Sequence, residues 1–126
     1  MSGNYLTLDD VLGIHQDSIE AFGGSNGIRD SGGLEAAVTR PQSGYYPDVI
    51  AEAAALWESL SQNHPFIDGN KRTAIASMAA HLGMNGFWLR PEQLEAYRFM
   101  MDLYATGRFR MPELEAWLRA REITAE

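Results

Sequence analysis

His64-Pro65-Phe66-Ile67-Asp68-Gly69-Asn70-Lys71-Arg72-Thr73 runs without a break into Ala74-Ile75-Ala76-Ser77-Met78-Ala79-Ala80-His81-Leu82-Gly83-Met84, and the rest of the chain is organised around this stretch. Pro65 fixes its own φ and disfavours a helical backbone at His64. Asp68 or Gly69 stands where an N-cap belongs. From there a helix is expected from about Asn70 to Gly83 or Met84. Ala, Ile, Met and Leu fall on nearly every face of it, and a helix apolar all round belongs in the middle of a fold. Its start leaves backbone N–H groups unpaired at the positive end of the helix dipole, which makes an anion site. Lys71 and Arg72 add two cations to that tip, with Asp68 and His64 just upstream. Singly, each residue has a bland reading: His64 as a helix end, Asp68 as a cap, Asn70 as a turn residue, Lys71 and Arg72 as a solvated face. Together they suit phosphate binding with a divalent metal and a general base.

The flanking segments read as further helices. Thr7 caps a helix whose face carries Leu8, Val11, Leu12, His15, Ile19 and Phe22, and Gly23-Gly24 ends it. The Gly-rich run 23–33 matches no phosphate-loop spacing and reads as turns. Ser31 or Gly32 caps a short helix through Leu34, Ala37 and Val38, stopped by Pro41. Tyr45 and Tyr46 lie in an irregular loop, with one tyrosine expected to pack and the other to cover surface. Asp48 caps a helix with Ile50, Ala53, Ala54, Trp57 and Leu60 on its buried stripe, ending near Asn63. Asn85-Gly86 is a turn, and Phe87-Trp88-Leu89 is too short to assign firmly. Pro91 suits the first position of a helix lined by Leu94, Tyr97, Met101 and Tyr104, ending at Gly107. Pro112 opens a last helix with Leu114, Trp117 and Leu118 on one face, and the tail 123–126 is expected to fray. His15 and His81 are expected to be hydrogen-bonded packing histidines. The sum is an all-α, compact single-domain bundle of five or six helices around a central helix, over residues 1–126, with no set of paired strands.

Composition narrows the classes. The chain has 126 residues, 45% of them hydrophobic, which suits one domain. It contains no cysteine, so disulfides, thiol catalysis and Cys-based zinc sites are excluded. Ten Lys and Arg against 17 Asp and Glu give a formal charge of −7, a poor match for nucleic acid or an anionic bilayer. No secretory signal precedes the first helix, and no apolar run approaches membrane-spanning length. A cytoplasmic protein without nucleic-acid or membrane partners is expected.

The motif His64-Pro65-Phe66-Ile67-Asp68-Gly69-Asn70-Lys71-Arg72 resembles the signature of the Fic/Doc family, His-x-Phe-x-Asp/Glu-Gly-Asn-Gly/Lys-Arg. It is most similar to the Doc (death on curing) toxin branch, which has Lys where adenylylating members have Gly. Gly27-Ile28-Arg29-Asp30, Leu34-Glu35-Ala36-Ala37, Arg40-Pro41-Gln42 and Tyr45 extend the likeness upstream, so that it covers roughly residues 5–105. Gly69 is the form shared with the Fic branch. The resemblance implies that His64 is the base taking a proton from a target-protein hydroxyl, and that Asp68 helps hold Mg2+. It implies that Gly69, Asn70, Lys71 and Arg72 hold the phosphates of ATP, that Lys71 and Arg72 also serve the transfer, and that Phe66 anchors the loop. It further implies a translation-inhibiting kinase moving the γ-phosphate of ATP to a threonine of elongation factor Tu. No Ser/Thr-x-x-x-Glu-Gly/Asn inhibitory pattern is found in the chain, which implies a separate cognate antitoxin. The competing readings are a protein adenylyltransferase, which a side chain at Lys71 argues against, and a non-catalytic helical interaction domain.

Overall fold

The computed structural model describes residues 3–89, 93–121 and 124–125. Six α-helices run in chain order: α1 (Leu8–Phe22), α2 (Ser31–Thr39), α3 (Val49–Gln62), α4 (Asn70–Met84), α5 (Gln93–Ala105) and α6 (Met111–Ala120). A 3-10 turn, Arg40–Ser43, continues α2 rather than stopping at Pro41, which sits inside it. Pro91 lies outside the described residues.

The helix starts follow their caps. Thr7 and Asp10 form a reciprocal capping box on α1, and Asp48 accepts the Ala51 N–H on α3. The cap of α2 is Asp30, which accepts the Gly33 N–H at 2.9 Å, and not Ser31 or Gly32. At α4 the cap is Gly69, and no side chain bonds its first turn.

Helices α3 and α4 pack on each other along the middle of the bundle. Helix α4 also meets α1 and α5, and α3 also meets α2 and α6. No residue of α4 from Asn70 to Leu82 is exposed. On α3 the small residues Ala53 and Ala54 are fully buried and let the neighbouring backbone come close. Trp57 on the same helix has no exposed surface and meets Phe99 and Trp117 edge-on. Truncating an aromatic so placed costs about 3–5 kcal/mol.

Three expectations change. The buried stripe of α5 is Ala96, Met100 and Leu103, while Leu94 and Met101 are exposed and Tyr97 and Tyr104 are half-buried. The two tyrosines are drawn to the boundary because they lie against the cations of α4. On α1 the apolar end residues Leu8 and Phe22 are exposed, and Ser18 joins the buried face. Finally, the chain does pair strands, though briefly: β1 (Phe87–Trp88) runs antiparallel to β2 (Thr124–Ala125), so this part of the tail is ordered against β1. Among the described residues no helix is long and apolar enough to cross a membrane.

Candidate functional site

The backbone leaves α3 at Asn63 in a helical conformation and then turns sharply. His64 has φ 47, the single positive value at a non-glycine position among the described residues. A left-handed L-residue costs about 1–2 kcal/mol and persists only where its surroundings hold it. Pro65 accounts for the break from the right-handed helix. Phe66 then plunges inward and is 1% exposed. Its ring stacks on His15 of α1, with centroids 3.8 Å apart. His15 Nε2–H donates to the Asp68 carbonyl at 2.8 Å, so α1 supports the loop at two points. The Asn70 side chain holds the Phe66 peptide from both sides: its Oδ1 accepts the Phe66 N–H and its Nδ2 donates to the Phe66 carbonyl, each at 2.9 Å.

Gly69 has φ 81, and a Cβ there would stand 3.2 Å from Ile19 Cδ1. The left-handed conformation therefore favours glycine at the start of α4, and a side chain there would also crowd the end of Ile19. The first bond of the helix runs from the Thr73 N–H to the Gly69 carbonyl. The amides of Asn70, Lys71 and Arg72 are left over at the positive helix end.

The Gly-rich run after α1 is more than a set of turns. It lies antiparallel along the loop, with Ile28 bridged to Phe66. The Ile67 N–H donates to the Gly27 carbonyl, and the Arg29 and Asp30 N–H groups both donate to the Pro65 carbonyl. The Ser25 N–H donates to Asp68 Oδ2 at 2.9 Å. Gly27 has φ 127, a backbone conformation that favours glycine, and a Cβ there would press on the end of the exposed Ile67 side chain, 2.7 Å from Cδ1. Arg29 adds its side chain: Nε donates to the His64 carbonyl at 2.7 Å and Nη2 to the Asn63 carbonyl at 2.9 Å.

His64, Asp68, Gly69, Asn70, Lys71 and Arg72 therefore face one cleft of about 270 Å3, completed by Ile67 and Tyr97. All the candidate residues are brought together. His64 and Asp68 are exposed to it. Among the described residues neither Lys71 nor Arg72 pairs with a carboxylate. Aromatic faces hold them instead. The Arg72 guanidinium lies between the rings of Phe22, at 4.0 Å, and Tyr97, at 4.2 Å. Lys71 Nζ lies 4.7 Å from the centre of the Tyr104 ring. Tyr104 is itself fixed by a hydrogen bond with Ser61 and by stacking on Phe109. Ring faces attract cations while leaving the N–H groups free for an anion.

Asp68 is the one carboxylate among the described residues that line this cleft, and among the described residues no group of three or more His, Cys, Asp or Glu could hold a metal ion. That donor set does not suit a zinc or calcium cage. It does suit magnesium, which keeps several waters and takes one or two carboxylates plus substrate phosphates. Oδ2 accepts the Ser25 N–H, which helps fix the carboxylate where Asp68 lines the cleft.

Sequence reasoning missed His15, Ser25 and Arg29 as supports of the loop, and Phe22, Tyr97 and Tyr104 as partners of the cations. The glycine at position 27 was the available signal, since it permits a close backbone approach.

A helix tip with free amides, two aromatic-held cations, one carboxylate and an exposed imidazole thus stand together on an all-helical scaffold, a set of groups that suits an anion. The family model described as "Fic/DOC family" matches residues 5–82. "Toxin Doc" of Mycolicibacterium smegmatis is 48% identical over 90 residues, 68% of this chain and 67% of that protein. "Protein kinase doc" of Escherichia phage P1 is 29% identical over 86 residues, 65% of this chain and 68% of that protein. The chain belongs to the Fic/DOC family.

Proposed function

We propose that this chain is the toxin of a toxin–antitoxin pair, a single helical domain that acts in the cytoplasm as an ATP- and Mg2+-dependent protein kinase. The proposed acceptor is a threonine hydroxyl of elongation factor Tu, whose modification halts translation. The observation that carries the reading is the shared cleft: an exposed imidazole and an exposed carboxylate face a helix tip with free amides and two cations. The names of the two relatives, a toxin and a protein kinase, support it.

In this reading the amides of α4, with Gly69 and Asn70 shaping the turn, cradle the ATP phosphates. Arg72 offers a planar fork to two phosphate oxygens, and Lys71 offers a point charge. Asp68 holds the magnesium ion, which when bound neutralises phosphate charge. His64 accepts the proton of the acceptor hydroxyl as its oxygen bonds to the γ-phosphorus. The bond from that phosphorus to the bridging oxygen breaks, and ADP leaves. Phosphoryl transfer needs mainly positioning and charge neutralisation, and these residues supply both. An apolar groove of about 520 Å3 between α1, α4 and α5 opens beside Arg72 and Tyr97. It supports docking of a separate antitoxin segment next to the phosphate-binding cation.

One observation favours a second reading, transfer of AMP to a protein hydroxyl. Lys71 leans over Tyr104, which removes part of the obstruction its side chain presents in the cleft. Incubation of the chain and purified elongation factor Tu with ATP labelled at the α- or the γ-phosphate separates the two. The proposal expects the γ label on the target and none of the α label. Retention of the α label establishes adenylyl transfer, and retention of neither label refutes elongation factor Tu as the target of either transfer.

A further inference from the structure

We infer that Arg29 is a positioning residue for His64. Its guanidinium sets the backbone angle from which the imidazole meets the acceptor hydroxyl. The inference rests on the reading of His64 as the base.

His64 carries the strained backbone of the site, with φ 47. Its own contacts do not explain that conformation, because it follows the last turn of α3 and precedes a proline that has no N–H to donate. The restraint comes from across the cleft wall. Arg29 Nε takes the His64 carbonyl and Nη2 takes the Asn63 carbonyl, at 2.7 and 2.9 Å. The backbone of the same residue and of Asp30 takes the next carbonyl, that of Pro65, at 2.7 and 3.0 Å. Three successive carbonyls, from Asn63 to Pro65, are thus fixed by one two-residue unit. A carbonyl's direction fixes ψ of its residue and the plane of the following peptide, so holding three in a row leaves His64 no freedom to relax. The unit is itself anchored, because the Asp30 side chain caps α2 and Asn63 Nδ2 donates to the Gly33 carbonyl at 3.0 Å.

A planar guanidinium suits this task. Two adjacent carbonyls at a helix end diverge, and a rigid fork meets both where an ammonium meets one. The simpler role, a cation closing the C-terminal end of α3, predicts an effect on stability alone. A positioning role predicts an effect on turnover, with nucleotide binding spared. The phosphate-binding groups follow Phe66 in the chain, and the loop there has its own support from His15 and Asn70.

The test compares the full chain with Arg29→Gln and Arg29→Lys. Steady-state transfer gives kcat and KM for ATP. The intraresidue amide-to-Hα nuclear Overhauser effect of His64, strong only for a left-handed residue, reports the backbone without needing activity. For Arg29→Gln the expected result is a kcat lower by about 100-fold, the size of effect that an ångström of misplacement produces. The KM for ATP stays within about two-fold, and the His64 signal weakens. Arg29→Lys, which keeps one of the two carbonyl contacts, falls between. An unchanged His64 signal in Arg29→Gln overturns the inference, as does a change in melting temperature with kcat intact. If the signal weakens in Arg29→Gln while even the wild-type chain transfers no phosphate, the kinase reading fails and the role of Arg29 in holding the loop stands.

Discussion

The two ends of α4 carry similar chemistry and use it in opposite ways. At the C-terminal end His81 is 1% exposed, and its Nε2–H donates to Glu52 at 3.1 Å. Glu52 also accepts the Tyr5 hydroxyl at 3.0 Å, and Tyr5 stacks on the His81 ring. One residue beyond the helix, the Asn85 side chain accepts the Asn4 N–H and donates to the Asn4 and His81 carbonyls, while Asn4 Nδ2 donates to the Met84 carbonyl. Polar groups there satisfy one another and tie the N-terminal segment to the helix. At the N-terminal end an imidazole, a carboxylate and two cations face open space, and neither Lys71 nor Arg72 pairs with a carboxylate among the described residues. The difference teaches that burial alone does not mark function in this fold. What marks it is hydrogen-bonding capacity left unused on a backbone held rigidly by other residues.

Substitutions at the two ends should therefore separate activity from stability. The largest effect on activity is expected for His64→Ala. Transfer should fall by at least about 100-fold, the scale of a lost general base. The denaturation midpoint should barely move, because an exposed side chain is removed and alanine carries the same left-handed strain. Kinetics and urea melts on the same preparation check both halves. The mirror experiment is His81→Ala. It strips a donor from Glu52 and leaves a buried gap, a loss of roughly 2–3 kcal/mol. Turnover per folded molecule should be kept. A loss of turnover without a loss of stability would break the comparison.

Protons sharpen it further. Burial pushes the imidazolium of His81 below its ordinary pKa of 6.5, with Glu52 opposing the shift. The unfolded chain thus takes up a proton at a higher pH than the folded chain. The stability from neutral, buried His81 is fully present above pH 6.5 and is lost as pH falls from there through the lower folded value. Asp48, whose carboxylate is held below its usual 3.8 by Arg119 and the Ala51 N–H, contributes stability lost only at more acidic pH. Urea midpoints measured from pH 7.5 to 5 should therefore fall for the wild type and stay flatter for His81→Ala.

Phe22→Ala should give the smallest effect. Phe22 is 62% exposed, and its described ring contact is with Arg72. An exposed cation–π contact is worth about 0.5–1 kcal/mol, so KM for ATP should rise only a few-fold.

Much of this arrangement was legible in the chain. Pro65, Gly69 and the apolar run to Met84 placed α4 and its tip, and Asp48 and Pro112 placed two further helix starts, because caps and prolines act locally. The clustering of His64 to Arg72 needed only the turn between two helices. The supports were less visible. Residues 24–30 meet the loop some forty positions later, and a two-residue bridge such as Ile28 to Phe66 leaves no periodic pattern. The tyrosines of α5 read as core because their spacing is helical, yet they lie at its boundary, where they face Arg72 and Lys71. Asp30 rather than Ser31 capped α2 because both residue types cap well, and only the tertiary hold on the Arg29–Asp30 backbone selects between them.

The contrast between the two helix ends is tested most directly by mapping backbone amide shifts while ATP and Mg2+ are added to the wild-type chain. Saturable shifts confined to Gly69–Arg72 and their loop neighbours, with residues 81–85 unmoved, are predicted. No shift at Gly69–Arg72 at saturating nucleotide, or a response centred on His81 and Asn85, would contradict the account.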